Sequence, residues 1–275
     1  MDIDDELTRL RELERATLTA CKVCSDAKCL QSVLDAEYMR LRMSIVDTFA
    51  SVASLHRLWW ETVEYAIAWN DAYRARDKPT ARLPVYLAAI ACLSLAIKYT
   101  TVQKIRHCAL AVKCVHSLDT HWKAVTDPHK VSFTDAQIAA AEYHVAGVLD
   151  WTMGAALPSR FLEVFFAKHM QASDDAAEGG DAGLGLWRTA KELCKIGTFH
   201  GLSCAHGDSV LAAACLATAR SLSNAARLPV GEHAAEITAC VLELTRARHG
   251  NHHAPTRRLL ALDQVSVASP RPALR

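Results

Sequence analysis

The sequence has 275 residues, of which 51% are apolar, and its formal net charge is +1. A chain of this length and composition can bury a substantial core without disulfides or metal ions. The balanced charge argues against a dedicated nucleic-acid-binding protein, which needs a strongly basic face. The acidic start at residues 1–6 does not resemble a secretory signal. We therefore expect an intracellular protein of the cytoplasm or nucleus.

Helix-forming residues dominate the chain, and alanine and leucine recur at helical spacing. The first predicted helix runs from Asp4 to about Ala20, and amphipathic helices follow around residues 39–53 and from Glu61 to about Tyr73. The run from Pro84 to Lys98 is apolar on every face, which predicts a helix at the centre of a domain. The most apolar run, from Leu83 to Ile97, is shorter than the roughly twenty residues needed to span a bilayer, so we expect no membrane span and no membrane partner.

The patterns continue to the end of the chain. Two further helices are predicted from about Val102 to Ser117 and from Thr134 to Leu149, where Thr134 and Gln137 form a capping-box pattern. A small, acidic, glycine-rich stretch at residues 171–185 predicts a flexible loop. Helical patterns resume at 186–199, at 208–222 and at about 231–248.

The helix predicted at 208–222 is again apolar on all sides. Its Ala214-Cys215-Leu216 aligns with Ala91-Cys92-Leu93 of the earlier central helix, which indicates an internal duplication. We therefore expect an all-α fold with two tandem five-helix domains, each around a central apolar helix, plus an N-terminal helix. The expected segments are an N-terminal helix with a cysteine-containing stretch at 1–34, a first domain at 35–153, a second domain at 154–250 and a tail at 251–275.

The stretch from Arg42 to Tyr73 resembles, without a gap, the start of a cyclin box. The resemblance continues from Leu93 to Tyr99, where a central helix ends in Lys-Tyr, and through 133–142 and 148–151, which match the fifth helix. The residues that match at the start of the box and at the opening of a second box are Arg42, Ile45, Val46, Asp47, Leu58, Glu61, Thr62, Tyr65, Ala66, Asp71, Tyr73, Pro158, Phe161 and Leu162. Among these, the resemblance implies that Arg42 and Asp47 are structural residues of the domain.

The resemblance also implies a function. Paired cyclin boxes present a surface to a cyclin-dependent protein kinase, so we expect a regulatory subunit that forms a heterodimer with such a kinase and activates it. Lys98 and Glu142 match the lysine and glutamate with which the family holds the kinase. The sequence contains no nucleophile elbow, phosphate loop or His-Glu-x-x-His motif, so we predict neither an enzyme nor a cofactor.

Two parts of the sequence depart from the family pattern. Thr100-Thr101 replaces a frequent Glu-Glu, and the segment 102–132 is longer than the usual connection. Many cyclins also carry a substrate-docking groove on the first helix, with an aromatic residue and an acid on one face. The corresponding positions here are Leu41, Ser44, Ile45, Thr48 and Ser51. These residues predict a groove that is weak or absent.

The cysteines raise the question of a metal site. Cys21, Cys24 and Cys29 have the close spacing of zinc ligands, but a structural zinc site needs four ligands and no second cluster is evident. Other cysteines, such as Cys92 and Cys215, lie in apolar runs, as is typical of reduced thiols that behave as small apolar residues. We predict no metal.

Two alternatives to a kinase activator stay open. A transcription-associated adaptor of the same fold would bind nucleic acid or polymerase factors through a basic face. The candidates for that face are Lys104, Arg106, Lys113, Lys123 and Lys130. A helical scaffold that binds no kinase would instead bury Lys98 and Glu142 or hold them far apart.

Overall fold

The computed structural model describes residues 2–20, 36–77, 84–100, 133–172, 181–222 and 234–250. All regular structure within these ranges is helical, which confirms the predicted all-α class. The helices are α1 (Ile3–Ala20), α2 (Ala36–His56), α3 (Trp60–Arg76), α4 (Val85–Thr100), α5 (Asp135–Val148), α6 (Pro158–Ala172), α7 (Asp181–Phe199), α8 (Leu202–His206), α9 (Asp208–Leu222) and α10 (Ala234–Gly250). None of them is both long and apolar enough to cross a membrane. The helix expected at 102–117 and the tail at 251–275 lie outside the described residues.

The chain divides into two compact units. The described part of the first unit comprises residues 36–77, 84–100 and 133–153, with helices α2 to α5. The second unit combines residues 2–20 with the described residues from 154 to 250, and so contains α1 together with α6 to α10. The helix that begins the chain thus folds with the half of the sequence most distant from it.

The first unit is built around α4, which contacts α2, α3 and α5. The side chains from Leu87 to Leu93, together with Ala96 and Ile97, are buried, as the apolar pattern on all faces predicts. The predicted capping box starts α5: the backbone N–H of Thr134 donates to Gln137 Oε1 at 2.8 Å, and that of Gln137 donates to Thr134 Oγ1 at 3.3 Å.

A buried ion pair joins α2 to α3. Arg42 donates from Nε to Asp71 Oδ1 at 3.0 Å and from Nη2 to Asp71 Oδ2 at 2.9 Å, and both side chains are almost fully buried. Tyr38 also donates its hydroxyl to Asp71 Oδ1 at 2.7 Å. Arg42 therefore fastens two helices across the core. Asp47 lies half-buried on α2, and a structural role for it stays a prediction.

The second unit is built around α9, which contacts α6, α7, α8 and α10. The N-terminal helix contributes the buried side chains Leu7 and Leu10 to this core. It also reaches the start of α9, where Glu14 Oε1 accepts hydrogen bonds from Ser209 N at 3.0 Å and from Ser209 Oγ at 3.1 Å. Glu14 thus caps the central helix from a distant part of the sequence.

The prediction of a loop at 171–185 is wrong at both of its ends. Helix α6 extends to Ala172 and α7 begins at Asp181, while residues 173–180 lie outside the described ranges. Each glycine lowers the stability of a helix by about 1 kcal/mol relative to alanine, and for this reason the glycine-rich sequence predicts a loop. On α7, however, Leu186, Ala190 and Leu193 are buried in the core, and their burial outweighs that cost. The short helix α8 was not predicted.

Candidate protein-interaction site

The structure brings Lys98 and Glu142 together. Lys98 lies in the last turn of α4 and Glu142 lies within α5, 44 residues later. Lys98 Nζ donates to Glu142 Oε1 at 2.7 Å and to Oε2 at 2.5 Å. The lysine side chain is 37% exposed and the glutamate side chain 13% exposed, so the pair lies at the surface of the first unit.

The packing of α4 against α5 explains this position. Ile97, next to Lys98, is buried, and Ala141, next to Glu142, is also buried. Each charged residue therefore follows a core residue at the rim of the helix contact, where its side chain can reach solvent and the opposite helix. The scaffold alternative would require these two residues to be buried or far apart. In the structure they are neither, so both charges can reach a partner.

An exposed ion pair of this kind suits a contact with another protein. It contributes only about 0–1 kcal/mol to folding, so its main effect is to orient the two side chains. The ammonium group has three N–H donors and forms two bonds here, and the carboxylate oxygens keep further acceptor capacity. Backbone carbonyl and amide groups of a partner can therefore bond to Lys98 and Glu142 while the pair stays intact.

Three aromatic rings cluster between α3 and the last turn of α4. Tyr65 and Trp69 of α3 and Tyr99 of α4 have ring centroids 5.0 to 5.5 Å apart. Trp69 is buried, whereas Tyr99, directly after Lys98, is 51% exposed. The cluster thus holds an exposed aromatic ring on the residue that follows Lys98. The spacing of four residues between Tyr65 and Trp69 is the sequence signal for part of this cluster, but the contact with Tyr99 depends on the fold.

A second pair of rings joins α5 to the turn that follows it. Tyr143 directly follows Glu142 on α5, and its ring is 5.2 Å from that of Trp151, measured between centroids. Tyr143 is 71% exposed and Trp151 is 59% exposed. Sequence reasoning did not single out this pair.

Burial leaves two ionisable groups of the first unit in their neutral forms. Burial and a 2.5 Å hydrogen bond to Asp77 raise the pKa of Tyr73 above its ordinary value. Burial, together with the charge of Asp71, raises the pKa of the Cys92 thiol. A thiol is a nucleophile only when ionised, so Cys92 has the character of a core residue.

The positions of the predicted docking groove fall on α2. Ile45 and Thr48 are buried, and Thr48 Oγ1 donates to the backbone oxygen of Ser44 at 2.7 Å. Leu41, Ser44 and Ser51 are only half-buried. Three of the five side chains therefore keep exposed surface, and a weak or absent groove stays a prediction.

Several other candidates lie outside the described residues. These are the closely spaced cysteines Cys21, Cys24 and Cys29 and the basic-face residues Lys104, Arg106, Lys113, Lys123 and Lys130. Within the part of the chain that the structure describes, no group of three or more His, Cys, Asp or Glu side chains could hold a metal ion.

Comparisons with known proteins identify the family. The model of the cyclin N-terminal domain matches residues 8–154, which is more than half of the chain. The chain therefore belongs to the cyclin family, whose fold is that of a regulatory, non-catalytic kind of protein. No curated protein matches the sequence.

One solved structure extends the likeness over both units. The X-ray structure of a viral cyclin from herpesvirus saimiri matches with a TM-score of 0.53 at 15% identity, and the match covers 97% of each chain. At this identity the match shows the fold alone. The tandem arrangement of cyclin-like domains predicted from the sequence is consistent with it.

Proposed function

We propose that this chain is a regulatory subunit that binds and activates a cyclin-dependent protein kinase, with Lys98 and Glu142 at the contact. The observation that carries the proposal is the exposed ion pair that these residues form on the first unit. They are the two positions that the cyclin resemblance assigns to kinase binding. Their position at the surface of a chain of this family supports that role.

Activation would follow from selective binding. A subunit shifts a kinase toward its active state only as far as it binds that state more tightly than the inactive one. A rigid helical surface suits this purpose, because α4 and α5 hold the two charges in place before the kinase arrives. We expect a heterodimer with an interface of about 1,600 Å² in total, the size typical of specific complexes.

The chain would contribute contacts and no chemistry of its own. Its described cysteines Cys92, Cys194, Cys204, Cys215 and Cys240 are buried and free, which suits a reducing compartment. We accordingly place the complex in the cytoplasm or the nucleus, and we expect it to form without a metal or cofactor.

The test is affinity capture from the native lysate, followed by a kinase assay and mass spectrometry. Wild type is compared with Lys98→Ala/Glu142→Ala and with the charge-swapped variant Lys98→Glu/Glu142→Lys. The charge swap keeps an ion pair between α4 and α5 but reverses the charges that a partner meets. A loss of binding in this variant can therefore be distinguished from a loss of folding. Circular dichroism measures in parallel whether each variant is folded.

We expect wild type to capture an active kinase and both variants to lose it. Truncating a desolvated charged contact typically costs about 2 to 5 kcal/mol of binding free energy, which is enough to abolish capture at cellular concentrations. A charge-swapped variant that captures the kinase as well as wild type would contradict the proposal. Recovery of transcription factors in place of a kinase would favour the adaptor alternative.

A further inference from the structure

Helix α9 of the second unit carries a buried arginine that has no partner. Arg220 lies in the last turn of α9 and is 7% exposed. Its Nε atom is buried without a hydrogen-bond partner, and Arg220 forms no ion pair within the described ranges. The buried Arg42 of the first unit is instead paired with Asp71. The described residues therefore leave the charge of Arg220 unbalanced.

The end of the helix compensates only part of this charge. A guanidinium group stays charged in proteins, so burial cannot neutralise it. Arg220 lies where the carbonyl groups at the C-terminus of α9 attract a cation. This attraction is several times weaker than the cost of burying an unpaired ion. Arg220 therefore requires an anion that the described residues do not supply.

The other buried side chains of the second unit that can carry charge are also basic. They are Lys195 on α7 and His169 on α6, and both already interact with other groups. No Asp or Glu side chain described in this unit is buried. The core of the second unit thus has an excess of basic groups, which an acidic partner would complement.

Two exposed leucines lie at the same end of the unit as Arg220. A Cβ atom on Gly197, near the end of α7, would lie 2.5 Å from Leu211 Cδ1, near the start of α9. Since α7 and α9 also pack into one core, they run in opposite directions. At 1.5 Å per residue, Arg220 and Leu222 lie about 14 Å and about 17 Å along α9 from this contact, and Leu184 lies about 20 Å along α7 in the same direction. Leu184 is 55% exposed and Leu222 is 49% exposed.

We propose that this end of the second unit is a docking site for an acidic, partly apolar segment of a partner protein. A carboxylate of that segment pairs with the guanidinium group of Arg220, and its apolar side chains cover Leu184 and Leu222. A carboxylate carries the single negative charge that balances one guanidinium group, whereas a phosphate monoester carries nearly two. A free anion would leave the two leucines exposed, so a peptide segment fits this surface better. The site does not include Lys98 or Glu142, and the proposal does not rest on the proposed function.

The first test is the thermal stability of the chain without a partner. Arg220→Met replaces the guanidinium group with an apolar side chain that favours helix. Because the substitution removes an unpaired buried charge, we expect the thermal midpoint to rise by about 2 °C or more. The control Arg11→Met removes an exposed arginine of α1 in the same unit and should leave the midpoint unchanged. A lower midpoint for Arg220→Met would show that the free chain already pairs this arginine, and the proposal would be wrong.

The second test measures binding. A phage-displayed library of random peptides is selected on the full wild-type chain, and the affinity of the selected peptides is measured by fluorescence polarisation. We expect peptides in which apolar residues flank an acidic one, with an affinity for Arg220→Met that is at least about tenfold lower than for wild type. Selected peptides without an acidic residue, or equal affinity for the two proteins, would overturn the proposal.

The exposed leucines provide a matched comparison. Leu222→Ala should weaken peptide binding by a smaller factor than Arg220→Met, without lowering the thermal midpoint. The control is Leu242→Ala on α10, because Leu242 is 55% exposed. It lies two residues from Leu244, whose Cδ2 is 3.1 Å from a Cβ atom on Gly197, and so lies far from Leu222. Leu242→Ala should bind like wild type, and equal losses in the two variants would contradict this placement of the site.

Three further outcomes would assign the site to another ligand and overturn the proposal. Sulfate that raises the thermal midpoint of wild type but not of Arg220→Met, with no acidic peptide selected, would indicate a free anion. A homodimer that Arg220→Met dissolves, with peptide affinity unchanged, would indicate a second copy of this chain. Loss of peptide binding in the charge-swapped Lys98→Glu/Glu142→Lys variant would place the peptide at the kinase contact. We expect that variant to bind the peptides like wild type.

Discussion

The central helices of the two units have similar buried residues and differ at their ends. Both α4 and α9 bury an Ala-Cys-Leu triplet, residues 91–93 in α4 and 214–216 in α9. In that register Lys98 corresponds to Ser221, and buried Ile97 corresponds to Arg220, which is also buried. The end of α4 thus presents an exposed cation beside Glu142, whereas the arginine near the end of α9 is buried.

The starts of the two helices differ as well. Helix α4 follows Pro84, whereas the start of α9 is capped by Glu14 from the N-terminal helix. The end of α4 therefore presents a charged residue to solvent, whereas the start of α9 is stabilised by a charged residue from a distant part of the chain. The same buried framework can serve either purpose, because only residues at the rim need to change.

The largest effect is expected from breaking the first unit at Arg42. Arg42→Ala leaves the buried carboxylate of Asp71 without its cation, which should cost about 3 to 5 kcal/mol of unfolding free energy. Urea unfolding measures the loss, and hydrogen exchange should show faster exchange in α4 than in α9. Arg160→Ala, which removes a half-exposed pair with Glu163, is the control and should cost about 1 kcal/mol or less. Equal costs for the two variants would refute the role assigned to the buried pair.

The next largest effect is expected in the second unit at Gly197 of α7. A Cβ atom at this position would lie 2.5 Å from Leu211 Cδ1 of α9, so Gly197→Ala should cost about 1 to 3 kcal/mol through overpacking. The matched control is Gly185→Ala on the same helix, which meets no atom within 4 Å and should stabilise the unit by up to about 1 kcal/mol. Thermal unfolding of both variants tests the opposite signs. A loss of stability in the control would contradict this description of the packing around α9.

A smaller effect is expected from the cap that distinguishes α9 from α4. Glu14→Ala removes the acceptor for Ser209 N and Oγ, which should cost about 1 kcal/mol, as for other helix caps. Hydrogen exchange should quicken in the first turn of α9 and stay unchanged in α4. Glu12→Ala removes an exposed acid from the same helix and should have no such effect. Similar exchange in the two variants would show that Glu14 does not stabilise the start of α9.

Local signals explain most of what the sequence could predict. The helix at 208–222 and the capping box of Thr134 and Gln137 depend on residues a few positions apart, and the structure confirms both. The start of α7 was missed because its glycines signal a loop, and the burial of Leu186 that outweighs them depends on other helices. Helix α8 is only five residues long and carries too little periodicity to be recognised.

The contacts of the candidate site lie beyond such signals. Lys98 and Glu142 were chosen because they match the cyclin pattern, and the pattern did not predict that they bond to each other across 44 residues. The cap from Glu14 to Ser209 joins residues that are 195 positions apart. The left-handed backbone conformation of Trp151, with φ 57°, could not be predicted from the sequence either, because bulky residues rarely adopt it and no local motif requires it.

The most direct test of the central claim is phosphotransfer. The kinase that wild type captures is purified free of the chain, and its activity on a peptide substrate is measured as wild type or the charge-swapped Lys98→Glu/Glu142→Lys variant is added back. We predict that wild type raises the activity to a plateau and that the folded charge-swapped variant does not. Equal activation by both proteins, or no activation by wild type, would contradict the claim that this chain activates a kinase through Lys98 and Glu142.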